Sequence, residues 1–104
     1  MAYAVYTTEM FDKEVEKLEK EEQERVEKLY LKLKDNPHTG DQLRYKFLRE
    51  KRLDEKRVYY LVYDDLQLVL MVAISGKKDQ QKTIDFLVRY FDEFRELAEK
   101  LSNN

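Results

Sequence analysis

The chain has 104 residues, 42% of them hydrophobic and 40% charged, with a formal net charge of −2 and no cysteine. That length fits one domain over residues 1–104; the hydrophobic content excludes a disordered chain, and the lack of cysteine removes disulfides, thiolate metal sites and cysteine nucleophiles together. No apolar run reaches a membrane-spanning length and no signal-peptide pattern opens the chain, so the expectation is a soluble, cytoplasmic protein without membrane contact.

In chain order, residues 2–7 (AYAVYT) read as a short strand. Thr8 is placed to cap a helix, and Glu9 and Asp12 suit its first turn, where negative charge meets the helix dipole. Phe11, Val15 and Leu18 then recur at helical spacing. Residues 21–24 carry no apolar side chain, and the period resumes at Val26, Leu29, Tyr30 and Leu33. A straight helix of about 25 residues would run roughly 38 Å. That is too long for both halves to reach one small core, so the spacing predicts a helical hairpin with its polar turn near Glu21. The segment from Asp35 to Gly40 (DNPHTG) ends the helical region.

Leu43 to Asp79 reads as an antiparallel meander. Its runs are LRYKFLREKRL, RVYYLVYDD and LQLVLMVAISGKKD, joined by tight polar turns at Asp54-Glu55 and Asp64-Asp65. Leu66 to Ile74 is apolar on both alternating faces, as a central strand covered on both sides would be. Asp79 can cap a last helix, whose apolar stripe runs from Ile84 through Leu87, Phe91 and Phe94 to Leu101. The pattern predicts one long C-terminal helix from Asp79 to Leu101 and a frayed end over Ser102 to Asn104. The fold class is α/β of the α+β kind: a small domain with an antiparallel sheet, an N-terminal helical hairpin and that long helix. A charge density this high, with two Gly and one Pro, also matches thermostable proteins laced with surface ion pairs.

Cations crowd the first hairpin of the meander. Arg44, Lys46, Arg49, Lys51, Arg52, Lys56 and Arg57 are opposed only by Glu50, Asp54 and Glu55, a local net charge of +4 in an acidic chain. RNA or an acidic protein partner would explain such a strip; so would an ordinary solvated strand face. If Asp54-Glu55 closes a two-residue turn, Leu53 faces Lys56, Arg52 faces Arg57, Glu50 faces Tyr59, Leu48 faces Leu61 and Lys46 faces Tyr63. One face then carries Tyr45, Phe47, Val58, Tyr60 and Val62 as core, with Arg49 and Lys51 near the hairpin end. The other mixes Lys46, Arg52 and Arg57 with Tyr59 and Tyr63: cations for phosphates, rings for bases. The alternative for Tyr59 and Tyr63 is a core position under the last helix. Arg52 opposite Arg57 is costly unless an anion lies near both.

Other chemistry finds little support. His38 has no second histidine and no cysteine to share a metal, and it follows Pro37 in a loop. Gly40 and Gly76 are isolated and cannot form a phosphate-cradling loop. No metal and no cofactor are expected.

The order of strand, helical hairpin, basic hairpin and apolar strand resembles the RelE/ParE superfamily of toxins. The resemblance covers roughly residues 1–84. It rests on the opening MAY with Phe11, Val15 and Leu18 behind it, on Arg57-Val58-Tyr59-Tyr60 with Val62-Tyr63, and on Ile74-Ser75-Gly76-Lys77-Lys78-Asp79. It implies a small sheet with helices packed on one face. It also implies the RelE activity, a metal-independent mRNA endonuclease working in the ribosomal decoding site, with an antitoxin protein as partner. Carried over by position, Arg52, Arg57 and Lys78 are the implied catalytic residues. Lys77 stands beside Lys78, and the basic and aromatic strand residues Lys46, Arg49, Lys51, Tyr59 and Tyr63 are, with Lys77, the candidate RNA-binding ones.

Three departures weaken the implied activity. Glu50 stands where the ribonuclease branch has a cation, the position of its C-terminal tyrosine falls near Gln81 or Ile84, and the chain is acidic. Three functions therefore compete: a ribosome-dependent endoribonuclease of reduced activity, a non-catalytic RelE-fold module that binds a protein or RNA partner, and a ParE-like inhibitor of DNA gyrase.

Overall fold

The computed structural model describes residues 2–103. In order along the chain come β1 (Ala4–Thr7), α1 (Glu9–Glu16), α2 (Lys20–Asp35), β2 (Asp41–Gln42), β3 (Leu48–Leu53), β4 (Lys56–Tyr63) and β5 (Leu68–Gly76). A single 3₁₀ turn over Lys77–Asp79 leads into α3 (Gln80–Arg89), and α4 (Phe91–Ser102) follows. The sheet order is β1-β5-β4-β3-β2. β3, β4 and β5 form the expected antiparallel meander, and β1 adds to it in parallel, Ala4 to Thr7 lying beside Leu68 to Met71. The sheet is therefore mixed.

Local chemistry explains the helices. The Thr8 hydroxyl accepts a hydrogen bond from the Phe11 N–H at 3.1 Å, capping α1. The helical hairpin forms, but it breaks over Lys17 to Glu19, not at Glu21. Glu21 and Glu22 instead occupy the first turn of α2, where carboxylates favour the positive end of the helix dipole. The acidic run is thus a helix start. The Gln23 side chain donates to the Val15 carbonyl at 2.9 Å and closes the corner.

The expected single C-terminal helix is likewise two, α3 and α4, broken at Tyr90. No Gly or Pro marks this break, and the apolar stripe continues through it. The bend lets Phe91 pack edge-on against Tyr45 and Phe47, with ring centroids 5.0 and 4.8 Å apart. Ser102 is still helical, and the Asn103 N–H bonds the Glu99 and Lys100 carbonyls. The helix thus runs one residue past the expected end at Leu101; Asn104 lies outside the described residues, as does Met1.

Two strand boundaries also differ. β5 starts at Leu68, because Asp64 to Gln67 together make the turn, with Gln67 at φ 50°. β3 starts at Leu48, because residues 43–47 loop back to it from β2; the Leu43 N–H bonds the Leu48 carbonyl at 3.0 Å. The expected Lys46–Tyr63 pair is consequently absent. Tyr45 and Phe47 swing to the opposite side of the sheet from Val58, Tyr60 and Val62.

Helices cover both faces of the sheet, not the one face that the resemblance implied. α1 and α2 bury Phe11, Val26, Leu29 and Leu33 against Val58, Tyr60, Val62, Val69 and Met71. α3 and α4 bury Leu87 and Ala98 against Leu48, Tyr59, Leu61, Tyr63, Leu68, Leu70 and Val72. This double cover is the reason β4 and β5 read as nearly unbroken apolar runs. No helix among the described residues is long and apolar enough to cross a membrane.

Candidate functional site

The register of the first hairpin follows from its two-residue turn. Leu53 pairs with Lys56, Arg52 with Arg57, Glu50 with Tyr59 and Leu48 with Leu61. Asp54 takes φ 58° in that turn, a region a short polar side chain tolerates. At the tip of this hairpin, where β5 runs out into the 3₁₀ turn, lies an open groove of about 550 Å³. Arg52, Lys56, Arg57, Lys77 and Lys78 line it, with Asp54, Glu55, Gly76 and Asp79 between them.

Arg57 is largely enclosed, its side chain only 14% exposed. Its Nη1 donates to Glu50 Oε2 at 2.8 Å, and the Glu50 side chain is 5% exposed. The other Glu50 oxygen accepts from the Gln80 side-chain amide at 2.8 Å. The like-charge contact of Arg52 with Arg57 is therefore relieved from inside the protein, by the carboxylate diagonal to Arg57. A guanidinium carries five N–H donors. Glu50 engages Nη1, and Arg57 also lines the groove. Arg52 reaches the Asp54 carbonyl through Nε at 3.3 Å.

The remaining sequence candidates scatter. Lys46 is exposed in the 43–47 loop, at the far end of β3 from the groove. Arg49 donates to the carbonyls of His38 at 3.0 Å and Gly40 at 2.7 Å, bracing the loop before β2. Lys51 lies on the α2 side, beside Arg25, Lys28 and Lys32. Tyr59 and Tyr63 do not present rings to solvent. They fill the core beneath α3 and α4, and burial pushes both phenols up, Tyr63 to about 12. The alternation that put them on the Arg52 face was right, but the C-terminal helices cover that face everywhere except at the hairpin tip.

Sequence reasoning counted Lys56 in the basic strip without assigning it a site role, and it passed over Gln80 and the part played by Glu50. The register could have found Glu50, since it places that carboxylate one diagonal step from Arg57. Gln80 needed the path of α3. His38 is occupied elsewhere, its Nε2 2.8 Å from Asp64 Oδ1, an oxygen that also accepts from the Tyr3 hydroxyl. Among the described residues no cluster of three or more His, Asp or Glu is placed to hold a metal.

A mixed five-stranded sheet with helices on both faces and a cationic groove at one hairpin tip defines a small α+β domain. No family model matches the sequence, and no curated protein matches it significantly. Solved structures do share the fold. A doubly substituted E. coli toxin RelE in the free state gives a TM-score of 0.72 at 22% identity, over 86% of this chain and 97% of that one. The archaeal RelE–RelB complex from Pyrococcus horikoshii gives 0.63 at 21% identity, over 74% and 97%. The RelBE2 toxin–antitoxin complex from Mycobacterium tuberculosis gives 0.64 at 20% identity, over 74% and 93%. The chain has the fold of the RelE toxins, as the order of its elements in the sequence implied.

Proposed function

We propose that this chain is a RelE-like toxin of a toxin–antitoxin pair, that its groove receives the phosphate backbone of ribosome-bound messenger RNA, and that it cleaves that RNA slowly. The observation that carries the reading is the gathering of Arg52, Lys56, Arg57, Lys77 and Lys78 around one groove on a RelE fold. Phosphate-rich ligands call for such convergence, with guanidinium groups for paired hydrogen bonds and ammonium groups for charge.

In this reading Arg57 and Lys78 hold the scissile phosphate. The RNA 2′-oxygen bonds to phosphorus, the bond to the 5′-oxygen breaks, and a cyclic phosphate and a 5′-hydroxyl result. A rim carboxylate (Asp54, Glu55 or Asp79) accepts the 2′ proton, and a lysine returns one to the leaving oxygen. The cations stabilise the charge that grows on the phosphoryl oxygens. The slow rate follows from the lining: no Tyr or His is among the groove residues. Proton transfer is most efficient from groups tuned near the operating pH, a part histidine most often plays in enzymes. The partner in this reading is an antitoxin protein, as in the RelE–RelB and RelBE2 complexes.

A second reading, a binding module without cleavage, is favoured by Glu50, which neutralises the central arginine from within. Titration of a labelled single-stranded RNA, with salt varied, tests the shared part. Wild type should bind with a steep salt dependence, and Lys78→Ala should lower the slope of log K against log salt by about 0.7, the loss of one phosphate contact. Salt-independent or absent binding would sink both readings. Induced expression then separates them: growth arrest with cut messages supports the toxin, and arrest-free expression supports the module.

A further inference from the structure

The 3₁₀ turn that carries Lys77 and Lys78 buries none of its own side chains. It has no hydrophobic anchor, yet it forms one wall of the groove. Its two ends are held by polar contacts to the β3–β4 hairpin. On the far side, the Gln80 side chain donates to Glu50 on β3 at 2.8 Å. On the near side, the Ser75 hydroxyl donates to the Gly76 carbonyl at 3.0 Å. That leaves Ser75 Oγ as acceptor for the Tyr59 hydroxyl of β4, 2.8 Å away.

Burial makes these contacts unusual. Thr8, Glu50 and Ser75 are the buried polar or charged residues among those described. Thr8 caps α1; both others belong here. A polar group taken out of water is costly unless every hydrogen bond is satisfied, and a satisfied network in a low dielectric is rigid and directional. None of Glu50, Tyr59, Ser75 and Gln80 lines the groove.

We propose that Glu50, Gln80, Tyr59 and Ser75 are positioning residues, a buried network that holds the Lys77–Lys78 turn at a fixed reach from Arg57 so that one phosphate can engage both. The phosphate half of this statement rests on the reading of the groove given above. Glu50 is the joint of the network. One of its oxygens orients the Arg57 guanidinium, and the other sets where α3 and its preceding turn begin. The residue that looked like a charge reversal in a basic site is the residue that builds the site.

Two variants test it, Tyr59→Phe and Gln80→Met. Each removes one tie, leaves the net charge unchanged and touches no groove-lining residue. The readouts are titration of the same single-stranded RNA at several salt concentrations and amide exchange by NMR. Each variant should bind about tenfold more weakly, equivalent to about 1.4 kcal/mol, and its salt slope should fall by about 0.7, as when one phosphate contact is lost. Amides of residues 76–79 should exchange faster while those of β1 and α2 stay protected. A role confined to stability would lower Tm and leave both affinity and slope untouched, which overturns the proposal. Unchanged exchange at residues 76–79 overturns it as well. If wild type binds no RNA, the phosphate reading falls, and the exchange data alone decide whether the network holds the turn.

Discussion

Arg57 and Glu50 form the one ion pair with both side chains largely enclosed among those of the described residues. Breaking such a pair from one side strands a buried charge. Arg57→Met should cost about 3 kcal/mol in urea denaturation, and adding Glu50→Gln, which removes the stranded charge and keeps an acceptor for the Gln80 amide, should restore most of that. Equal losses in the single and double variants would show that the pair carries no mutual dependence. Tyr59, Tyr60 and Tyr63 make a second test. Burial holds all three phenols above their usual value of 10.0, Tyr63 at about 12. The folded state therefore keeps protons that the unfolded chain gives up. Their contribution to stability is complete below pH 10 and is lost as pH rises from about 10 towards 12. Phenolate absorbance should lag behind that of free tyrosine and then rise together with unfolding; eight tyrosines titrating near pH 10 in an intact fold would contradict this. The β3–β4 pairing of Glu50 with Tyr59 and of Arg52 with Arg57 was legible from the Asp54-Glu55 turn alone, whereas the partner expected for Tyr63, Lys46, was lost when residues 43–47 looped away from β3. What lay above them was not, since the sheet pattern is the same whether a face meets a helix or a ligand.

Elements were legible where period and caps agreed. α1, the meander and its hairpin register follow from Thr8, from alternation and from one turn. The breaks at Lys17–Glu19 and at Tyr90 were not legible. The first hides behind an acidic run that belongs to the next helix, and the second carries no breaker and is set by Phe91 packing on Tyr45 and Phe47. The two glycines separate element-level roles. A Cβ at Gly40 would collide with the Tyr60 hydroxyl and meet the Glu50 carbonyl oxygen at 2.6 Å. One of those atoms is backbone, and the Tyr60 hydroxyl already accepts the Gly40 N–H at 2.8 Å. Gly40→Ala should destabilise by about 1–3 kcal/mol, as overpacking does. At Gly76 nothing lies within 4 Å and φ is −82°. Gly76→Ala should be neutral or stabilise by up to about 1 kcal/mol, through the unfolded chain's lost freedom. Thermal unfolding of the two variants side by side checks both signs.

At the scale of the whole molecule, helices on both faces leave the hairpin tip as the place where basic strand residues meet solvent together. α4 is pinned over the far end of β4 by Arg95, whose guanidinium grips Asp65 through two hydrogen bonds of 3.0 and 2.6 Å. The Tyr63 end of the sheet is thereby closed, and the Arg57 end stays open. The sequence held the cations but not this closure, which depends on contacts between residues 30 apart. The claim at stake is that the open end works on RNA, and cleavage of ribosome-bound message tests it most directly. Wild type should cut slowly, on the order of 10²–10⁴ below a site with a matched acid and base, and Arg52→Ala with Lys78→Ala, both at exposed positions, should abolish the cut without unfolding the protein. Fast cutting by wild type, or cutting that survives the loss of both cations, would contradict the account.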